Sequence, residues 1–221
     1  MKKKMTIRRK TGVICITAGL LLILGALMLY SHNRLEQANA ERAVSEVLPS
    51  LIEQIEERAA LTEPSAESTA ESGECSDSSE PSVDGVIPAQ EQIEKTVIID
   101  GYSYIGYIGI PSKDLLLPVM SDWSYKQLKL APCRFSGGVY TDDLVLMAHY
   151  YDCHFGALRE LSFGDTVNFT DAEGKLTEYT VVLLEQLSPD EVSEMTYGGY
   201  DLTLFTCTSD TKSRIAVRCE K

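Results

Sequence analysis

The N-terminal part of the chain carries two successive hydrophobic patterns. Residues 11–30 form one uncharged apolar run, TGVICITAGLLLILGALMLY. A helix needs about 20 such residues to cross the hydrocarbon core of a bilayer, so this run predicts a transmembrane helix. Residues 31–61 then place apolar side chains at loosely helical spacing. They predict a juxtamembrane helix that is interrupted at Pro49.

A polar segment follows the predicted helices. Residues 62–85 consist mainly of Ser, Glu, Thr, Pro and Gly, with almost no apolar side chain. Such a segment buries too little apolar surface to offset the entropy of folding, so we expect a disordered spacer there. Residues 31–89 together are therefore interpreted as an acidic stalk, partly helical and partly disordered.

From residue 90 to residue 221 the pattern changes to short apolar runs separated by turns. Asp100-Gly101, between two β-rich runs, is a strong hairpin signal. Many short strands with frequent turns predict one mainly β domain, a closed barrel or a sandwich. Further strands are predicted at residues 115–119, 139–141, 144–149, 165–170, 176–187, 202–207 and 215–219, and short helices at 123–129 and 154–160.

Charge adds an orientation to this organisation. The 221 residues carry a net charge of -13, yet the first ten residues hold six Lys or Arg and no acid. The positive-inside rule then predicts a cytoplasmic tail at residues 1–10 and places everything after residue 30 outside the membrane. A cleaved signal peptide is the alternative, although its apolar segment is typically shorter. The acidic body argues against nucleic acid as a partner, because phosphate binding needs a basic face.

The candidate chemistry lies at the C-terminal end of the chain. The predicted strand TLFTC ends at Cys207, and Arg214 opens the next strand, IAVRC. A tight strand-loop-strand unit would bring a permanent cation beside a thiol at an exposed strand end, which favours a reactive cysteine. A lone cysteine on a strand is more often a small buried hydrophobe. His149, far upstream, is the candidate general acid and base.

Two of these assignments have competitors. His154 could act in place of His149, but it is predicted to open a short helix and to point elsewhere. Arg218 lies on the same strand face as Arg214, so the pattern alone does not exclude it, whereas Arg214 is nearer Cys207. The remaining cysteines show no metal-binding spacing, so we expect no metal and no cofactor. The segment 188–200 between two strands is the candidate substrate loop.

Four segments carry a resemblance to a known family. They are YIGYIGIPSKDLLLPV, LVLMAHYYDCHFGAL, GDTVNFTDAEGKLTEYTV and LTLFTCTSDTKSRIAVR. Residues 97–221 as a whole resemble the sortases, the membrane-anchored cysteine transpeptidases of Gram-positive bacteria. The resemblance implies an eight-stranded β-barrel with a few short helices. Ala148 and Tyr150 stand where the family usually has Gly and Asn, so the subclass stays open.

The resemblance also implies roles for individual residues. Cys207 corresponds to the nucleophile, His149 to the general acid and base, and Arg214 to the group that binds the oxyanion or the substrate carbonyl. We place Thr206 and Ala148 at the substrate-binding surface, with Thr206 chiefly as a local hydrogen-bonding support.

The implied reaction is acyl transfer outside the cell membrane. The enzyme would cleave a Leu-Pro-x-Thr-Gly-like sorting signal of secreted surface proteins or pilins. It would pass the acyl group to an amine of a cell-wall precursor or a pilin lysine. A membrane-anchored cysteine peptidase that only hydrolyses, and a catalytically silent β-domain that assembles surface proteins, remain as alternatives.

Overall fold

A computed structural model of the chain describes residues 2–62, 95–196 and 199–221. The predicted disordered spacer lies outside the described residues from residue 63 onward, and so does Cys75. The described parts contain one long and one short α-helix, nine strands and three short 3-10 helices. Their bounds are α1 Lys2–Thr62, β1 Val97–Ile99, β2 Tyr102–Ile110, β3 Leu115–Met120, β4 Cys133–Ser136, β5 Leu144–Met147, β6 Thr166–Asp171, β7 Leu176–Leu187, α2 Val192–Thr196, β8 Leu202–Cys207 and β9 Arg214–Glu220, with 3-10 helices at Pro111–Lys113, Gln127–Lys129 and Phe155–Glu160.

The strands form a closed barrel. Their order is β1-β2-β3-β4-β5-β8-β9-β7-β6, and β6 pairs back onto β2. Closure therefore uses eight strands, and β1 pairs with β2 outside the ring. The β3–β4 and β5–β8 pairs are parallel, and the other pairs are antiparallel. The predicted eight-stranded barrel is confirmed, as is the hairpin turn at Asp100-Gly101 between β1 and β2.

Closure of the barrel depends on a glycine in β2. Gly106 has φ +148°, and a Cβ at this position would lie 2.0 Å from the carbonyl oxygen of Thr170 in β6. The β2–β3 register shifts at the same point, between Tyr104 and Gly106. Only a residue without a side chain lets β6 approach β2 this closely.

The segment around residue 140 differs from its prediction. Residues 139–141 form a turn instead of a strand, because the Asp143 carboxylate accepts hydrogen bonds from the Gly138 amide (3.0 Å) and from the Thr141 hydroxyl. Side chain-to-backbone bonds of this kind compete with strand pairing. Val139 nevertheless packs into the barrel core. The strand that fills this part of the ring is β4, which the apolar pattern did not predict because its sequence CRFS includes two polar residues and forms no apolar run.

Helix α1 runs without a break through Pro49, so the predicted interruption there is wrong. A proline inside a helix removes one backbone hydrogen bond and costs about 3 kcal/mol. Leu51 and Ile55, in the turns that follow, are fully buried against the barrel. Burying each of two such side chains stabilises by about 1.5–3 kcal/mol, which is enough to offset the proline.

The second half of α1 is a packed part of the barrel unit. Leu51 and Ile55 share a hydrophobic cluster with barrel side chains, and the Arg58 guanidinium donates to the carbonyl of Thr96 (3.0 Å). Gly174, in the β6–β7 turn, has φ +85°, and a Cβ there would lie 2.7 Å from that of Ala59. The predicted stalk is thus helical as far as Thr62 and covers one face of the barrel. The barrel side chains of this cluster are Val97, Tyr104, Met120, Leu128, Ala131, Cys133 and Ala172.

The side chains in the apolar first half of α1 are exposed. It contains the one segment of the described residues that is long and apolar enough to cross a membrane, and none of its most apolar window is buried. Leu22 and Met28 are 75% and 78% exposed. Large apolar side chains in such a continuous exposed band fit a lipid environment better than water.

Candidate active site

The parallel pairing of β5 and β8 brings His149 and Cys207 together. Met147 pairs with Phe205, and each strand continues in the same direction, so extending the register by two residues sets His149 opposite Cys207. The Ala148 amide still donates to the Phe205 carbonyl (3.3 Å). Because the carboxyl ends of neighbouring parallel strands meet at one edge, two residues 58 positions apart become neighbours there.

Arg214 reaches the same edge through a tight loop. In the β8–β9 hairpin Cys207 pairs directly with Arg214. The loop between them is closed by the Thr208 amide, which donates to the Ser213 carbonyl (2.9 Å), and by the Ser213 amide, which donates to the Thr208 hydroxyl (3.1 Å). Asp210 accepts from the Thr208 hydroxyl at 2.7 Å, and these bonds lower the pKa of its exposed carboxyl. A short loop with this many internal bonds fixes where Arg214 emerges.

A cavity of about 380 Å³ joins the three residues. His149, Cys207 and Arg214 all line it, and all three are half-buried. Most of its remaining lining is apolar: Trp123, Tyr125, Leu128, Phe135, Met147, Ala148, Pro189, Val192, Met195 and Phe205.

One wall of this cavity is aromatic. Trp123 stacks on Phe135 with ring centroids 5.7 Å apart, and Phe135 meets Phe205 edge to face at 5.3 Å. Tyr125 extends the row, with its ring centroid 6.1 Å from that of Trp123. Such pairs stabilise one another and give the cavity that contains the Cys207 thiol an aromatic lining. Sequence reasoning did not select these residues; the Trp-Ser-Tyr triplet in a predicted short helix was the available signal.

A second part of the cavity lining, named the substrate wall after the predicted substrate loop, comes from the segment between β7 and β8. Pro189, Val192 and Met195 line the cavity there. Part of that segment, residues 197 and 198, lies outside the described residues.

Arg218 stabilises the substrate wall through hydrogen bonds. Its guanidinium is fully buried, and it donates to the carbonyls of Glu194 (2.5 Å) and Met195 (3.0 Å) and to the Glu185 carboxylate (2.7 Å). It also donates to the Thr203 hydroxyl. The hydrogen-bond donors of Arg218 are thus used within the protein, whereas Arg214 lines the cavity together with Cys207.

Replacing Arg218 with methionine should loosen the substrate wall without touching the cavity. The carbonyls of Glu194 and Met195 would lose their donor, and for the carbonyl of the buried Met195 this costs about 1–3 kcal/mol. We expect the KM for a peptide substrate to rise about tenfold, equivalent to ~1.4 kcal/mol, with a smaller change in kcat. Backbone amides of α2 should exchange hydrogen faster. Arg159→Met, which removes an exposed guanidinium, is the control, and an unchanged KM in the Arg218 variant would contradict this role.

The two candidate histidines have different environments. His149 is half-buried, and burial lowers its pKa, with Lys129 adding to that effect and the Glu36 carboxylate opposing it. His154 is fully buried, and neither of its ring nitrogens has a hydrogen-bond partner. Burial, with a smaller contribution from His149, lowers the pKa of His154 to about 4. Of the two rings, only that of His149 lines the cavity.

The cysteines of the barrel unit that do not line the cavity are buried or half-buried. Among the described residues every cysteine is free, including Cys133, Cys153 and Cys219. Burial raises the pKa of Cys133 and Cys219 to about 12 and also raises that of Cys153. Within the described ranges no three His, Cys, Asp or Glu side chains gather as metal ligands would. Cys207 is the cysteine of the described parts that lines the cavity.

Thr206 and Ala148 support the site from within the wall. The Thr206 hydroxyl is buried and donates to the Ala148 carbonyl (2.8 Å). This bond ties the end of β8 to the end of β5 immediately before the two candidate catalytic residues. Both residues line the cavity.

Comparison with known proteins identifies the family. A family model described as the sortase domain matches residues 108–221, just over half of the chain, and this chain belongs to the sortase family. The match includes His149, Cys207 and Arg214. Comparison with the curated proteins finds no significant match.

Several solved structures are similar to the barrel. Sortase C from Clostridium perfringens SM101 is 30% identical, over 53% of this chain and 68% of that one, with a TM-score of 0.46. Sortase C1 from Streptococcus agalactiae is 26% identical, over 56% and 69% of the two chains, with a TM-score of 0.49. A Clostridium perfringens sortase C solved with its C-terminal cell wall sorting motif is 29% identical, over 53% and 69%, with a TM-score of 0.47.

Proposed function

We propose that this sortase is a membrane-anchored cysteine transpeptidase. It cleaves a Leu-Pro-x-Thr-Gly-like sorting signal and transfers the acyl group to an amine of a cell-wall precursor or a pilin lysine. The observation that carries the proposal is the single cavity lined by Cys207, His149 and Arg214. A thiol, an imidazole and a guanidinium on one wall supply the three functions that acyl transfer from a peptide requires.

The proposed reaction has two halves. The Cys207 thiolate attacks the scissile carbonyl carbon, and the Arg214 guanidinium donates hydrogen bonds to the oxyanion that forms. The His149 imidazolium gives its proton to the departing amine as the carbon–nitrogen bond breaks, which leaves a thioester. An incoming amine then attacks the thioester, His149 takes its proton, and the Cys207 thiolate departs. No net change of oxidation state occurs.

The cavity lining supports an apolar recognition element. The aromatic rings and the side chains of Val192 and Met195 that line the cavity suit leucine and proline side chains better than charged ones. The aromatic wall is also suited to limiting access of water to the thioester, which matters because water competes with the amine for the acyl group.

The position of the anchor supports work at a membrane surface. Tyr30 ends the apolar run, and Glu36, six residues later, already contacts the barrel. Six residues of helix span about 9 Å, whereas the interfacial layer of a bilayer is about 5–8 Å thick. With the basic N-terminus inside the cell, the barrel would lie against the outer face of the membrane.

The test uses the full-length chain in detergent micelles. Peptides carrying Leu-Pro-x-Thr-Gly variants are offered with and without a glycine or diaminopimelate-type amine, and mass spectrometry follows both enzyme and peptide. An acyl adduct on Cys207 and amine-dependent ligation are expected. An adduct that only hydrolyses, with every amine tried, would instead indicate a peptidase. No adduct from a folded chain would favour a catalytically silent domain.

A further inference from the structure

Three rings stand in a row beside the cavity. Tyr151 lies between the two histidines, with its ring centroid 5.0 Å from that of His149 and 5.5 Å from that of His154. The ring planes are tilted by 34° and 40°. His149 thus has the Tyr151 ring packed against its imidazole. This contact restricts how the imidazole can rotate.

The Tyr151 hydroxyl contacts helix α1. It donates to one carboxylate oxygen of Glu36 on α1 (3.3 Å), and Lys129 donates to the other (2.7 Å). His32, one turn earlier on α1, lies 3.7 Å from the same carboxylate. The hydrogen bond from Lys129 is the main cause of a lowered pKa at Glu36, so this carboxylate stays negatively charged.

We propose that Glu36 and Tyr151 are positioning residues for His149. The Tyr151 ring holds the imidazole in its orientation, and the Glu36 carboxylate supplies negative potential that favours the protonated ring. This inference rests on the proposed function, in which His149 must carry a proton when the leaving amine departs. It also makes the helix that follows the anchor a part of the active site.

The charges around His149 decide the direction of the effect. Burial lowers its pKa, Glu36 raises it, and Lys129 lowers it. Removing Glu36 should therefore lower the pKa of His149 further, and removing Lys129 should raise it. The titratable and charged groups around His149 are Glu36 from α1, Lys129 from the 3-10 helix at Gln127–Lys129, Tyr151 and His154 from the following segment, Cys207 from β8 and Arg214 from β9. His32 lies one turn before Glu36 and contacts its carboxylate.

His154 completes the arrangement as a neutral packing partner. Its pKa of about 4 keeps it uncharged at neutral pH, so it adds no positive charge beside His149 under working conditions. Because the His154 ring is buried, it packs against Tyr151 in a fixed position. The row His149, Tyr151, His154 is therefore one packed unit that holds the His149 ring in place.

The decisive experiment titrates His149 directly. The full-length chain has three histidines, so NMR of isotopically labelled histidine in micelles can follow each ring across pH. Glu36→Gln is expected to move the His149 titration to lower pH, and Lys129→Gln to higher pH. Glu53→Gln, an exposed glutamate about 25 Å further along the same helix, should leave it in place. If the substitutions acted only by undocking the helix, the His149 titration would shift in the same direction in both variants.

Turnover gives a second readout. For Glu36→Gln we expect kcat to fall on the order of tenfold with little change in KM, a part of the ~10²–10⁴ that general acid–base catalysis supplies. The pH at which activity falls as His149 loses its proton should move down for Glu36→Gln and up for Lys129→Gln.

Two variants at Tyr151 distinguish the contribution of the ring from that of the hydroxyl. Tyr151→Phe keeps the ring against His149 and should retain most of kcat, whereas Tyr151→Ala should lose it. Equal activity in the two variants would overturn the positioning role of the ring. Unshifted or same-direction titrations of His149 in Glu36→Gln and Lys129→Gln would overturn the role of the carboxylate. The titration remains informative even if no peptide is turned over, so it separates this inference from the proposed function.

Discussion

Replacing Cys207 with alanine should abolish both the acyl adduct and the ligated product, while the barrel stays folded. The half-buried thiol lies at the end of β8, where removing one sulfur atom disturbs little of the core. Loss of a covalent nucleophile costs on the order of 10⁶-fold in kcat in enzymes that form acyl intermediates. The assay follows peptide turnover by mass spectrometry, with circular dichroism to establish that the fold is intact.

Cys153→Ala is the matched control for this variant. Cys153 is also half-buried and lies only four residues after His149, but it does not line the cavity. Its variant should keep turnover near that of the parent chain. Appreciable ligation by the Cys207 variant would show that another group forms the acyl intermediate and would remove the basis of the proposed mechanism.

The second large effect is expected at Arg214. Lysine keeps the positive charge but loses the planar fork that can donate two parallel hydrogen bonds to an oxyanion. We expect Arg214→Lys to lower kcat by about 10²–10³, the range for loss of an oxyanion donor, with a smaller effect on peptide binding. Single-turnover measurements would place the loss in formation of the thioester.

Arg42→Lys, at an exposed position on α1, controls for the substitution itself and should change little. The comparison with Arg218 is also informative. Arg218→Met should act mainly on KM because Arg218 holds the substrate wall, whereas Arg214→Lys should act mainly on kcat. If the Arg214 variant altered only KM, Arg214 would bind the substrate carbonyl in the ground state without stabilising the transition state.

The docking of α1 determines which part of the chain a functional test must include. A chain shortened to residues 95–221 would expose the barrel side chains that Leu51 and Ile55 cover. It would also lack Glu36, the carboxylate that contacts Tyr151 and Lys129. Experiments on the catalytic unit therefore require the helix from about residue 32 onward.

The sequence by itself determined much of the organisation. A helix needs about 20 apolar residues to cross a membrane, and an alternation of apolar and polar residues in the C-terminal part of the chain indicates β-strands. Both features can therefore be predicted without a structure. Strand β7 was predicted at residues 176–187 and β8 at 202–207, the bounds that the structure has. The hairpin between Cys207 and Arg214 is local in sequence, which is why their pairing was accessible to pattern reasoning.

Tertiary structure decided what depends on distant contacts. The parallel pairing of β5 and β8 brings His149 and Cys207 to one edge of the barrel, and no local pattern encodes the pairing of strands so far apart. Arg214 and Arg218 look alike along a strand, and only burial against Glu194 and Met195 assigns Arg218 to the loop. Pro49 stays helical because barrel packing outweighs its local cost. Glu36 comes to contact Tyr151 and Lys129 for the same reason: a helix face that resembles a solvated stalk in the sequence packs, in the fold, against the barrel unit.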